Sequence, residues 1–222
     1  MVTCINSSAD STLLASGSWD GTARVWSLHT GKLVAGPFKS IDWPGAVLFS
    51  PNSKKLAVKS ETGKCMEIWD VQSQKLDTRA GGFKFVGKPF TYTPLFWTNK
   101  NKNILAAFSF TDNDVPSMIY EFDAMTLQTS GDPFEGHTEI VTGLALSFDG
   151  ALLASASNDN TIKLWAFESR QLLTSFSVQN PFCLVFSPVS RQLAYTTHTE
   201  KKKDNNIFIC NTPASILIRR SN

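Results

Sequence analysis

The sequence predicts an all-β protein assembled from five copies of one unit, each a small sheet of four short antiparallel strands. Three observations carry this. First, the pair Leu-Ala returns five times, as Leu14-Ala15, Leu56-Ala57, Leu105-Ala106, Leu153-Ala154 and Leu193-Ala194. Second, each pair is followed by a β-branched and aromatic run: Ala23-Arg24-Val25-Trp26-Ser27, Met66-Glu67-Ile68-Trp69-Asp70, Ile119-Tyr120-Glu121-Phe122-Asp123, Ile162-Lys163-Leu164-Trp165-Ala166 and Ile207-Phe208-Ile209-Cys210-Asn211. Third, no unit contains a stretch of 10–15 residues with helical periodicity, which disfavours strand–helix–strand architecture. A chain of 222 residues holds five such periods, and self-similarity at this spacing signals a repeat array.

The elements follow in order, with repeat boundaries expected near 2–38, 39–77, 78–134, 135–176 and 177–219. Repeat one carries its Leu-Ala pair and ends on Trp26. Repeat two opens with Leu48-Phe49-Ser50-Pro51, a marker that returns as Leu146-Ser147-Phe148-Asp149-Gly150 and Val185-Phe186-Ser187-Pro188. Repeat three has Phe122 where repeats one, two and four place Trp, and a longer turn over 111–117. Repeat four shows the four strands best. Residues 141–147 are apolar and bounded by the turn pair Asp149-Gly150; 152–157 alternate large and small side chains; Asn158-Asp159-Asn160 tolerates left-handed backbone; 161–166 are β-branched and aromatic; 172–176 supply a fourth run. Repeat five has Cys210 in the Trp position, a long turn over 198–206 and a last run at 215–219.

Repeat four carries Gly136-His137, Ser155, Asp159 and Trp165, and repeat one keeps Ser16, Asp20 and Trp26 at the same mutual offsets. On these residues the chain resembles the WD40 repeat family, with a flavour of the arrays found in many fungal signalling chains. The resemblance implies a β-propeller of five four-stranded blades. Because such propellers most often close with seven blades, five imply an incomplete, open propeller or part of a longer chain. It also implies that Trp, Ser, His and Asp form a hydrogen-bonded chain inside the blade. The Trp brings one N–H donor, the hydroxyl and imidazole relay the bond, and Asp ends it. Ser155, His137 and Asp159 are therefore read as structural rather than as a hydrolase triad. Repeats two, three and five depart from the pattern, and their blades are expected to rely on apolar packing between blades.

Composition narrows the function classes. A net charge of +2 gives no global reason for nucleic acid as a partner. No apolar run is long enough to span a membrane as a helix, and no secretory leader is expected. Cys4, Cys65, Cys183 and Cys210 form neither a C-x-x-C pair nor a disulfide framework. The acids Asp112 and Asp114 open like a calcium loop but lack its glycine and its final glutamate, so a solvated hairpin tip is expected and no metal or cofactor site.

What remains is a non-catalytic scaffold that binds other proteins or peptides through the turns between second and third strands and between blades. Trp19 stands out among them, since an indole at a hairpin tip is costly to expose and frequent in binding hot spots. Trp43 and Trp97, near the starts of first strands, are further candidates. An alternative is a binder of anionic partners, nucleic acid or phospholipid, through the hairpin of Lys201, Lys202 and Lys203. An enzyme of propeller architecture is the remaining class. It needs convergent acids and bases at one mouth, and of three histidines His137 is committed to the blade while His29 and His198 fall in separate hairpins. A cytoplasmic or nuclear location is expected.

Overall fold

The computed structural model describes residues 1–82, 93–98, 102–111, 114–197 and 206–212. It is all-β, and its strands form five antiparallel sheets, each one blade. The described chain divides into two compact units, 1–133 and 134–222.

The first unit holds three blades. Blade one comprises β1 (Val2–Ser7), β2 (Leu13–Ser18), β3 (Thr22–Ser27) and β4 (Leu33–Lys39) in that spatial order. Blade two repeats it with β5 (Pro44–Phe49), β6 (Lys55–Ser60), β7 (Cys65–Asp70) and β8 (Leu76–Gly81). Blade three has β9 (Phe96–Thr98), β10 (Asn103–Phe108) and β11 (Met118–Asp123), with a single bridge, Phe122 to Thr129, in place of a described fourth strand. Gly131, at positive φ, and Pro133, which has no N–H to give, stand just beyond that bridge. The second unit holds blade four, β12 (Val141–Leu146), β13 (Leu152–Ser157), β14 (Thr161–Ala166) and β15 (Leu172–Ser177), and blade five, β16 (Pro181–Phe186), β17 (Gln192–Thr197) and β18 (Asn206–Asn211). The expected fourth run at 215–219 lies outside the described residues.

The repeated markers acquire physical reasons here. Successive side chains on a strand face opposite ways. Leu56 accordingly packs back into the cluster shared with blade one, beside Ala15, Val25 and Phe38, while Ala57 faces forward into the cluster shared with blade three, beside Ile104 and Phe122. A large residue behind and a small one in front let adjacent twisted sheets approach closely. Blade three corrects the sequence reading: Ile104 pairs with Phe122 as Leu56 pairs with Trp69, so Ile104 and Leu105 fill the two slots and the Leu105-Ala106 pair is out of step by one residue. Ala106 faces back toward blade two, where a small side chain also fits.

The serine marker is a turn cap. Ser50 Oγ donates to Asn52 Oδ1 at 2.8 Å and accepts the Lys55 N–H at 2.9 Å, closing the hairpin between first and second strands. Ser8 with Asp10 and Ser147 with Asp149 build the same device. Adjacent blades are also tied by a threonine at the second position of a first strand. The Thr3 hydroxyl donates to the Pro44 carbonyl at 2.5 Å, and Thr142 donates to Pro181 at 2.6 Å.

Candidate functional site: the turn-bearing end of blades one and two

Strand register sets which loops meet. Ser18 pairs with Val2 and Thr22, and Ser60 pairs with Pro44, so the β2–β3 turn, the β4–β5 connection and the β6–β7 turn gather at one end of the first unit. Two equivalent backbone bonds hold them. The Trp19 N–H donates to the Met1 carbonyl at 3.0 Å, and the Glu61 N–H donates to the Trp43 carbonyl at 2.7 Å. Trp19 and Glu61 thus occupy the same position in successive blades.

That equivalence builds a site. The Trp19 side chain leans from blade one onto blade two and donates its Nε1–H to Glu61 Oε2 at 3.0 Å. Its ring meets Trp43, centroid to centroid at 6.3 Å and tilted by 39°. Both indoles remain open to solvent, Trp19 at 43% and Trp43 at 47%, while Glu61 is buried. Beside Trp43, Asp42 is half-buried. Its Oδ1 accepts the Trp43 N–H and its Oδ2 accepts the Thr62 hydroxyl, each at 2.8 Å. Asp20, next to Trp19, takes the Thr22 hydroxyl at 2.5 Å and the Arg24 guanidinium at 2.8 Å. These donors, the Thr22 hydroxyl foremost, hold its carboxyl down to about 2. Lys59 lies buried, its Nζ donating to Thr93 Oγ1 at 2.8 Å, and burial pushes its ammonium down to about 7.

Trp97 is placed elsewhere. It sits in β9 near the opposite end of its blade, donates its Nε1–H to the Phe49 carbonyl at 2.6 Å, and lines a cavity of about 630 Å³ with Ile68, Lys55, Asp77 and Met125. Lys201, Lys202, Lys203, His198 and Asp112 lie outside the described residues. Among the described residues no group of three or more His, Cys, Asp or Glu side chains could hold a metal ion.

The residues that resemble a hydrolase triad are in blade four, and their protons can be assigned. The Trp165 indole only donates, and it reaches Ser155 Oγ at 2.9 Å. Ser155 therefore turns its own proton to His137 Nε2, 2.7 Å away, and the His137 Nδ1–H donates to Asp159 Oδ2 at 2.8 Å. Asp159 also accepts the Thr161 hydroxyl at 2.6 Å and the Thr161 N–H at 2.9 Å. Burial lowers the His137 pKa against the opposing pull of Asp159, so the imidazole is neutral. Burial works to raise the Asp159 pKa, but hydrogen bonds from Thr161 and His137 outweigh it and hold the carboxyl below its ordinary value. The serine oxygen takes the Trp165 N–H, and both Ser155 and Trp165 are buried, which closes the hydroxyl to a substrate. The arrangement ties turn to strand.

Blade one has half of this chain. Trp26 donates to Ser16 Oγ at 2.9 Å, while Asp20 turns to Thr22 and Arg24 instead. Blade two has Val58 in the serine slot, and its Trp69 Nε1–H finds Glu67 Oε2 at 3.1 Å. Buried Glu67 is neutralised by Arg79, whose guanidinium lies 2.8 Å from Oε1. In blade three, Tyr120 holds the place of Glu67, and Glu121, one residue nearer the aromatic position, accepts from Thr98 and, at 3.5 Å, from Asn103. Glu67 is visible in the sequence as a sign reversal, since blades one and four carry Arg24 and Lys163 there. Glu61 and Asp42 left no such mark.

The comparisons with known proteins agree with this architecture. A family model described as WD domain, G-beta repeat matches residues 1–27 and 127–166. WD repeat-containing protein SL1-17 of Schistosoma mansoni is 33% identical over 177 residues, covering 78% of this chain and 52% of that protein. Eukaryotic translation initiation factor 3 subunit I of Bombyx mori is 25% identical over 187 residues, 82% of this chain and 54% of that protein. Periodic tryptophan protein 2 of Saccharomyces cerevisiae is 25% identical over 173 residues, 76% of this chain and 18% of that protein. The chain spans about half the length of the first two. Blades on one pattern, the tryptophan–serine–histidine–aspartate chain of blade four and these matches make the chain a member of the WD40 repeat family.

Proposed function

We propose that this chain is a non-catalytic scaffold that binds other proteins or peptides at the turn-bearing end of its blades, with Trp19 and Trp43 at the centre of the contact surface. The observation that carries the reading is the indole pair itself. Two large apolar rings stand side by side nearly half open to solvent, and Trp19 is pinned by Glu61. Tryptophan on a rigid support is the side chain over-represented in binding hot spots, and loops held by a fixed frame are where binding residues collect. Rigid blades lose little entropy on binding, so the surface is pre-organised.

The resemblance of relatives supports the same class of work. One of them is named as a subunit of a translation initiation factor, and a subunit works by contact with neighbours. That kinship also supports an intracellular place for this chain, in the cytosol or the nucleus. A catalytic role finds no support in blade four, where His137 is buried and committed on both ring nitrogens.

Affinity capture from a cell extract, quantified against the variants Trp19→Ala and Trp43→Ala, tests the reading. The expected result is a defined set of proteins lost from both variants while their thermal unfolding is unchanged within about 1 kcal/mol. An identical set on all three proteins would remove this end as the binding surface.

A further inference from the structure

We infer that the Trp19–Trp43 pair with the Asp42 carboxylate binds a cationic side chain, an arginine of a basic peptide segment. This rests on the reading of that end as a partner-binding surface and names what it takes.

The indoles settle the kind of contact. Trp19 has spent its one polar group on Glu61, so it offers a partner only its π face. Donation of an indole N–H to a carboxylate pushes electron density into the ring and deepens the negative potential over its face, which is the part a cation meets. The centroids, 6.3 Å apart, are too close for a planar group to be sandwiched between them. The outer faces form instead a shallow tilted surface on which a guanidinium can lie flat. Arginine suits it better than lysine because its planar, weakly hydrated head stacks on aromatic faces.

Asp42 supplies the charge. Both of its oxygens are held by neutral donors, the Trp43 N–H and the Thr62 hydroxyl, which fix the carboxylate without neutralising it. Among the described residues, the other cations at this end are largely committed. Arg24 is paired with Asp20, and Lys59 and Lys64 are buried; Lys39, at the exposed end of β4, remains and sets the side from which a basic segment would not approach. An acidic partner would meet Asp42, and an apolar one would leave Asp42 desolvated without a partner.

The test uses the full chain with ¹⁵N-labelled indoles and two probes, a peptide of alternating arginine and glycine and the same peptide with citrulline, which keeps the shape and loses the charge. The expected result is a shift of the Trp19 and Trp43 Nε1–H signals with the arginine peptide, little with citrulline, and a still Trp165 signal that reports an intact fold. Asp42→Asn should weaken binding by about threefold or more, and 0.5 M salt should weaken it further. Equal shifts from both peptides, or arginine binding that ignores Asp42→Asn, would overturn the inference. So would silence of both indoles toward both peptides; if capture from extract still depended on Trp43, the binding surface would stand and its preference for cations would fall.

Discussion

Ser155 shows how one hydroxyl can organise a blade. It accepts from Trp165 and donates to His137, and its removal strands both a buried indole N–H and a buried imidazole nitrogen. Each such group costs about 1–3 kcal/mol when left unmet. Ser155→Ala should therefore lower stability by about 2–4 kcal/mol, read from urea unfolding of the second unit, whereas Ser16→Ala strands only the half-buried Trp26 N–H and should cost about 1 kcal/mol. A pair of equal losses would show that His137 adds nothing. The same chain makes stability depend on pH. Folding lowers the His137 pKa, so the unfolded chain holds the extra proton between the folded value and about 6.5. Its contribution is complete above about pH 6.5 and is lost as pH falls below it. The urea midpoint should drop as pH falls below about 6.5, and His137→Gln should flatten that part of the profile; a slope unchanged by the substitution would assign it to other groups.

Between elements, the spacing of neighbouring blades is set by a few small residues. At Gly143 in β12 an added Cβ would stand 2.0 Å from the Phe182 carbonyl oxygen and 3.1 Å from its carbon, so backbone meets backbone with no rotamer to yield. Gly17 in β2 is crowded by Cys4 Sγ at 2.6 Å and Pro44 Cβ at 2.7 Å; the thiol can turn away and the Pro44 ring must shift, but no backbone atom stands in the way. Gly143→Ala should cost about 3 kcal/mol and Gly17→Ala about half that, measured as shifts in denaturant midpoint at constant slope; a neutral Gly143→Ala would mean the two blades slide apart freely. Much of the blade architecture was legible beforehand because it is written at short range. The Leu-Ala pair marks back and front of one strand, and the serine marker closes a turn five residues long. Blade three slipped by one residue because Ile104, Leu105 and Ala106 are all apolar and any adjacent two satisfy the pattern. The Trp19–Trp43 contact was not legible. It depends on the register of two different sheets and on a rotamer that Glu61 selects, and 24 positions separate the partners in the chain. Glu67 was legible only as a charge of unusual sign; its pairing with Arg79 needed the fourth strand in place.

At the scale of a whole unit, blade four hides its forward face beneath the back of blade five, and blade five shows what that covering is worth. Its Val185, Ile207 and Ile209 match Ala145, Ile162 and Leu164 of blade four in sheet position. The blade four residues lie within the cluster that blade five completes with Leu184, Phe186, Leu193 and Tyr195. Their counterparts are open, Ile207 at 74% and Ile209 at 68% exposed. One substitution should therefore have opposite outcomes at equivalent positions. Ile162→Lys forces an ammonium among buried side chains and should unfold the second unit, a loss of several kcal/mol. Ile207→Lys with Ile209→Lys places charges in water and should leave the unfolding midpoint within about 0.5 kcal/mol of the parent. Contiguous exposed β-branched residues on a sheet also favour association between molecules, so the double variant should scatter less light than the parent as concentration rises. If the double variant instead unfolds as Ile162→Lys does, that face is covered in solution.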